Sequence, residues 1–218
     1  MIDGEPFYLL HYTFDGEIAA DDSGHGMHPN SMTCLVEDEN QYTPSIYAEE
    51  DGRKTHDFSD PNSRIFGRHD ESLCFDPSKA FSTFAIIKDT SEDQDLHIVF
   101  SLNGTAHFYY GLRYGKFYVS VGLEDAYGQL DQQTYAIGDV LSSGWHTIGF
   151  VSDGEDLTFY VDGEIKSEET NVDLYDFPEI KDYAIGALSQ TYDECQFEGY
   201  IDDLFVTDIL LTPQQVLE

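Results

Sequence analysis

Between Trp145 and Gly163 the chain reads WHTIGFVSDGEDLTFYVDG. Ile148 and Phe150 fall on one face of a first strand, while Leu157, Phe159 and Val161 alternate with Thr158 and Tyr160 on a second. Asp153-Gly154 joins the two and Asp162-Gly163 makes a second tight turn. Alternation of period two puts one face against a core, and glycine accepts the positive φ that such turns demand. The stretch therefore commits the chain to antiparallel β-structure with one buried face.

Other short runs follow the same pattern. Strands are predicted over 6–15, 32–36, 45–48, 82–88, 96–102, 106–112, 116–121, 184–188 and 197–206, with turns at Asn103-Gly104 and Tyr114-Gly115. Short strands at regular spacing with turn signals between them are the pattern of a meandering sandwich sheet. Residues 49–70, which include Arg53, Lys54, Arg64 and Arg68, read as a polar loop, and 122–143 as a polar connection. Long loops on a rigid sandwich are common places for binding. The loop with His25 and His28 is read as solvated, since no further His or Cys stands at a ligand spacing nearby. Asn103-Gly-Thr105 is a formal glycosylation acceptor that its turn explains sufficiently. Thr212, with Pro213 after it, reads as the N-cap of a short C-terminal helical turn.

At 218 residues an all-β sandwich fits one domain, 1–218. Its 15 Phe and 15 Tyr, in a chain 40% hydrophobic, argue for a folded globule and against disorder. The 43 acidic side chains against 10 basic ones leave a net charge of −33, which repels nucleic acid and anionic membrane surfaces. Acids spread along the whole chain, with few lysines, point to a salt-adapted, halophilic surface, because molar salt screens self-repulsion over a few ångströms. Calcium, which prefers carboxylates, is the other explanation. Cys34, Cys74 and Cys195 are odd in number, which rules out a complete disulfide framework and leaves a Cys34–Cys74 pair open. The start shows no signal peptide, and no apolar run reaches membrane-span length. Either a signal has been removed or the protein works without one.

Three stretches together resemble the laminin-G-like, concanavalin-A-like lectin/glucanase jelly-roll family. They are the Trp145-His146 to Asp162-Gly163 hairpin, Leu9 to Gly16 with Asp22-Ser23-Gly24 after it, and Ile185-Gly186-Ala187 with Phe197 to Leu204 and Leu211 to Val216. The resemblance implies an antiparallel jelly-roll sandwich in which the first and last strands are neighbours. It also implies a structural calcium between Asp15 of the first-strand turn and Asp202 of the closing strand, with Asp203 as the alternative to Asp202. Carbonyls and water would complete the six to eight oxygens calcium needs.

In the glucanase branch of the family, catalytic carboxylates share a strand as Glu-x-Asp-x-x-Glu, a spacing no strand here shows. Glu37-Asp38-Glu39 and Glu92-Asp93-Gln94-Asp95 read as solvated surface. No Gly-x-Ser-x-Gly elbow, His-Glu-x-x-His helix or phosphate loop is present. Trp145 reads as a sheet anchor, with a sugar platform as the alternative, and Tyr109, Tyr110, Tyr114, Tyr118 and Tyr127 could line a saccharide-binding face or simply fill β-positions. The expectation is a non-enzymatic recognition or adhesion module, extracellular or at a cell surface, binding glycan or a surface protein. The alternatives are a virion or surface-layer component that assembles as a homo-oligomer and, third, a glycosidase.

Overall fold

The computed structural model describes residues 8–16, 22, 46–60, 63–68, 79–102, 108–125, 127–175, 182–189, 195–212 and 215. The strands expected at 32–36 and the turn at Asn103-Gly104 lie outside these, as do His25, His28, Cys34 and Cys74. The described strands are β1 (Tyr8–Tyr12), β2 (Ile46–Glu50), β3 (Arg53–Asp57), β4 (Ile65–Arg68), β5 (Phe81–Asp89), β6 (Leu96–Leu102), β7 (Phe108–Arg113), β8 (Lys116–Glu124), β9 (Leu130–Ile137), β10 (Trp145–Ser152), β11 (Leu157–Val161), β12 (Glu164–Glu169), β13 (Asp182–Ile185) and β14 (Gly199–Thr207).

They form two antiparallel sheets. One runs β12-β11-β10-β5-β14-β3-β2, with β1 also on β14, and the other runs β4-β13-β6-β7-β8-β9. The opening and closing strands are neighbours, Tyr12 opposite Leu204 and Leu10 opposite Val206. The 145–163 hairpin forms in the expected register, with Ile148 opposite Val161 and Phe150 opposite Phe159. Left-handed conformations at Asp162 and Gly163, Tyr114 and Gly115, and Asp51 and Gly52 make three of the two-residue turns. This is an all-β jelly-roll sandwich. Of the C-terminal helical turn, Thr212 and Gln215 are described. They cap reciprocally: the Thr212 amide donates to Gln215 Oε1 at 3.0 Å, and the Gln215 amide donates to Thr212 Oγ1 at 3.4 Å.

The core is aromatic. Phe81 stacks on Phe108 at 5.6 Å, and Phe150 meets both rings edge-on. Each such pair contributes about 0.5–1.5 kcal/mol beyond the area it buries. Buried phenols find partners: Tyr12 Oη lies 2.6 Å from Tyr183 Oη, and Thr83 donates to Tyr110 at 3.3 Å. Burial pushes the Tyr110 phenol well above its ordinary value. A second apolar cluster of Phe84, Val151, Tyr160 and Leu211 lies on the outer face of the larger sheet.

Two readings need correction. Residues 49–70 are not a loop: they carry the β2–β3 hairpin and β4. β3 escapes a hydrophobicity pattern because its buried residues are polar. Thr55 donates to the Ile201 carbonyl at 2.6 Å, and His56 Nε2 lies 2.9 Å from the Gly16 carbonyl. Burial lowers the His56 pKa. The connection 122–143 holds β9, whose residues are exposed up to Thr134 and so show no alternation.

Candidate functional site

Alternation along β7 and β8 sends Phe108, Tyr110, Leu112, Phe117 and Val119 into the core. Tyr109, Arg113, Tyr118 and Ser120 take the outer face. There the Tyr109 and Tyr118 rings stack at 6.4 Å. The Arg113 guanidinium sits 5.6 Å from the Tyr118 ring and 5.3 Å from the Tyr114 ring. The result is a ladder of tyrosine, tyrosine, arginine and tyrosine, with Tyr114 57% exposed at its end. A hydrogen bond from Arg113 to Tyr118 raises the guanidinium pKa further, so Arg113 stays charged. Gly111 opposite Tyr118 is obligatory here, since a Cβ would lie 1.9 Å from the His97 carbonyl oxygen.

Arg113 and Tyr114 also line a cleft of about 560 Å³, together with Asp93, His97, Cys195 and Glu198. His97 ties the cleft's walls together, with Nε2 2.7 Å from Asp93 Oδ1 and Nδ1 2.9 Å from the Gln196 carbonyl. The His97 ring and the Asp95 amide hold the Asp93 carboxyl below its usual range. Asp93, read as plain surface, is thus a structural strut of the cleft. Of the five candidate tyrosines, Tyr109, Tyr114 and Tyr118 come together. Tyr110 is core, and Tyr127 is 88% exposed before β9.

Trp145 anchors a second cluster on the outer face of the larger sheet. Arg53 lies 5.5 Å over its ring, and Tyr200 packs 6.4 Å away. Arg53 Nη1 donates to Asp202 Oδ2 at 2.8 Å. Lys88, bonded to Asp51 at 2.7 Å and to Glu50, has its pKa pushed up to about 12. Asp202 is only 6% exposed, and burial raises its pKa, partly offset by Arg53 and reinforced by Asp203 and Asp15. The two residues expected to hold calcium are therefore near enough to feel each other's charge. Their surroundings do not fit the ion as they stand: Arg53 occupies Asp202, His56 occupies the Gly16 carbonyl, and Asp203 turns toward His11 at 3.6 Å. Among the described residues no group of three or more His, Cys, Asp or Glu is arranged to hold a metal.

Ser142, His146 and Asp162 stand in the order of a hydrolase triad, a grouping the sequence reading missed. His146 Nδ1 is 2.8 Å from Asp162 Oδ2, and Nε2 is 3.2 Å from Ser142 Oγ. Nε2 also lies 3.0 Å from the Ser142 carbonyl oxygen, so the imidazole packs against both oxygens of Ser142. Asp162 also accepts from the Thr147 amide at 3.0 Å, so the trio pins the turn after β11 to β10.

No curated protein matches the chain in sequence. Among solved structures it is similar to the binding domain of botulinum neurotoxin serotype G, at 16% identity and TM-score 0.67, covering 96% of this chain and 50% of that one. The binding domain of Paraclostridial Mosquitocidal Protein 1 gives 15% identity and TM-score 0.70, over 96% and 51%. The serotype D ligand-binding domain, solved in complex with N-acetylneuraminic acid, gives 12% and 0.64, over 97% and 50%. The chain thus spans about half the length of the solved structures it matches, and the likeness at these identities is one of fold. The family model of the concanavalin A-like lectin/glucanases superfamily matches residues 67–217. With paired first and last strands, the 145–163 hairpin and that match over more than half its length, the chain belongs to the concanavalin A-like lectin/glucanase superfamily.

Proposed function

We propose that the protein is a non-catalytic recognition module that binds a glycan on an extracellular or cell surface through the exposed Tyr114 ring, Arg113 and the cleft beside them, with Tyr118 packed behind the arginine. The observation that carries this reading is Tyr114, an exposed ring held against Arg113 at the cleft's edge. Aromatic faces stack on the C–H faces of sugars, and a fixed guanidinium orients hydroxyls. Support also comes from the fold relatives, one solved with N-acetylneuraminic acid and one with rat synaptotagmin II. Asp93, Asp95 and Glu198 outnumber Arg113 around the cleft, so a neutral glycan suits it better than an acidic one. No described helix is long and apolar enough to cross a membrane.

Screening against neutral and sialylated oligosaccharides tests this reading. The expected result is binding of a neutral glycan that Tyr114→Ala weakens about 5- to 10-fold, since losing an anchoring aromatic typically costs just over 1 kcal/mol. Unchanged binding in that variant refutes the site, and a sialylated ligand alone refutes the preference.

Salt adaptation accounts for a charge of −33. Its expected signature is a melting temperature that rises between ~0.1 M and ~3 M salt as screening tightens. A flat response refutes it. Calcium at Asp15 and Asp202 has a built-in competitor in Arg53. Calcium that stabilises the parent protein means the ion displaces the arginine. Calcium that stabilises only Arg53→Ala means the arginine serves in its place, and no response in either retires the ion.

A further inference from the structure

The geometry points to β9 as a pairing edge for a second copy of this chain, joining two six-stranded sheets through antiparallel β9 strands. β9 ends its sheet, and no described strand pairs with its outer side. Its eight residues pair with β8 without a bulge, from Phe117 opposite Ile137 to Glu124 opposite Leu130. Exposed edges are normally guarded by charge, proline or a bulge. β12, at the edge of the other sheet, has Glu164, Lys166, Glu168 and Glu169 and pairs through a register shift. β9, LDQQTYAI, has Asp131 as its one charge and no proline, in a chain of net charge −33.

Asp131 Oδ1 accepts from the Gln132 amide at 2.8 Å, which marks the even-numbered residues as those whose N–H groups point off the sheet. Thr134 and Ala136 then offer their amides outward. Antiparallel pairing of β9 with itself about its middle sets Asp131 against Tyr135 or Ile137, never against another charge. Exposed apolar residues flank the strand, Tyr127 at 88% and Leu130 at 41% at one end and Val140 at 61% beyond the other. A two-fold axis brings each copy's Tyr127 end to the other's Val140 end. Such self-complementarity favours a second copy over an unrelated strand.

Light scattering and sedimentation at micromolar protein test the pairing. Because two chains of −33 repel and salt screens that repulsion, the dimer dissociation constant should fall about tenfold or more from ~0.1 M to ~1 M salt. Thr134→Pro removes an outward donor without touching the β8 ladder and should be monomeric at both salt levels, with its circular dichroism unchanged. Thr134→Glu, which adds a charge at the centre of the pairing, should be monomeric as well and covers the case in which proline disturbs folding. A parent that stays monomeric throughout, a dimer that weakens with salt, or one that survives in Thr134→Glu overturns the proposal.

Discussion

Gly199→Ala should lower the melting temperature by about 10 °C, the largest effect expected of any substitution considered for this chain, corresponding to roughly 4 kcal/mol at this size. Two causes add. Gly199 has φ +148°, which side-chain-bearing residues rarely adopt, and a Cβ there would lie 2.1 Å from the Lys88 carbonyl oxygen. Strain of the first kind costs about 1–3 kcal/mol and overpacking a similar amount. The close oxygen belongs to backbone, so no side chain can swing aside. Gly199 also begins β14, opposite Asp89 of β5, and its carbonyl accepts from the Phe58 amide at 2.7 Å. Pushing β14 from β5 therefore disturbs the sheet's centre as well as one turn. Thermal denaturation followed by circular dichroism measures it, and a drop below about 3 °C would show that the strand start relaxes freely.

Arg53→Ala should cost about 2–3 kcal/mol at neutral pH and lower the melting temperature by about 6 °C. Among the described residues the guanidinium is the one cation on Asp202, which is 6% exposed, and removing it leaves a buried carboxylate uncompensated. The figure sits below that for a wholly buried pair because the Arg53 side chain is 46% exposed and water screens it. Loss of its contact with Trp145 adds about 0.5–1 kcal/mol to the effect. Acidification should narrow the gap. Burial holds the Asp202 pKa above its ordinary 3.8, so the charged form disfavours the fold at pH values above the folded pKa. As the pH falls through that value Asp202 takes a proton, and below its ordinary value both folded and unfolded chains are protonated and the penalty is gone. Stability curves for parent and variant over pH 3–7 should converge toward acid. Parallel curves would show that Arg53 acts through packing on Trp145 alone.

The sandwich was legible because its central strands face a core on one side and water or a lesser cluster on the other. Ile148, Phe150, Leu157, Phe159 and Val161 announce the 145–163 hairpin for that reason, and all five are buried in the sandwich. β3 and β9 hide from such reading for opposite reasons. Thr55 and His56 are buried but polar, held by the Ile201 and Gly16 carbonyls, while β9 is wet on both faces through most of its length. Of the tyrosine–arginine ladder, the tyrosines were visible as a class. Their sorting follows from parity about the Tyr114-Gly115 turn: Tyr109 and Arg113 before it and Tyr118 after it share a face, and Tyr110 takes the other. The cleft was beyond any local pattern, because Asp93 and His97 meet residues nearly a hundred positions away, as the bond from His97 to Gln196 shows. Arg53 and Asp202 are farther apart still, 149 positions.

β14 lies inside its sheet, with β5 on one side and β1 and β3 sharing the other. During synthesis the ribosome delivers the other thirteen described strands first, and until residues beyond 198 emerge the larger sheet stays in three separate pieces: β12 to β5, the β2–β3 hairpin, and β1 alone. Contacts joined over so many residues form slowly. A nascent chain halted before Gly199 would expose a bare flank on β5 and another on β3, the kind of unpaired edges that invite aggregation and that chaperones attend.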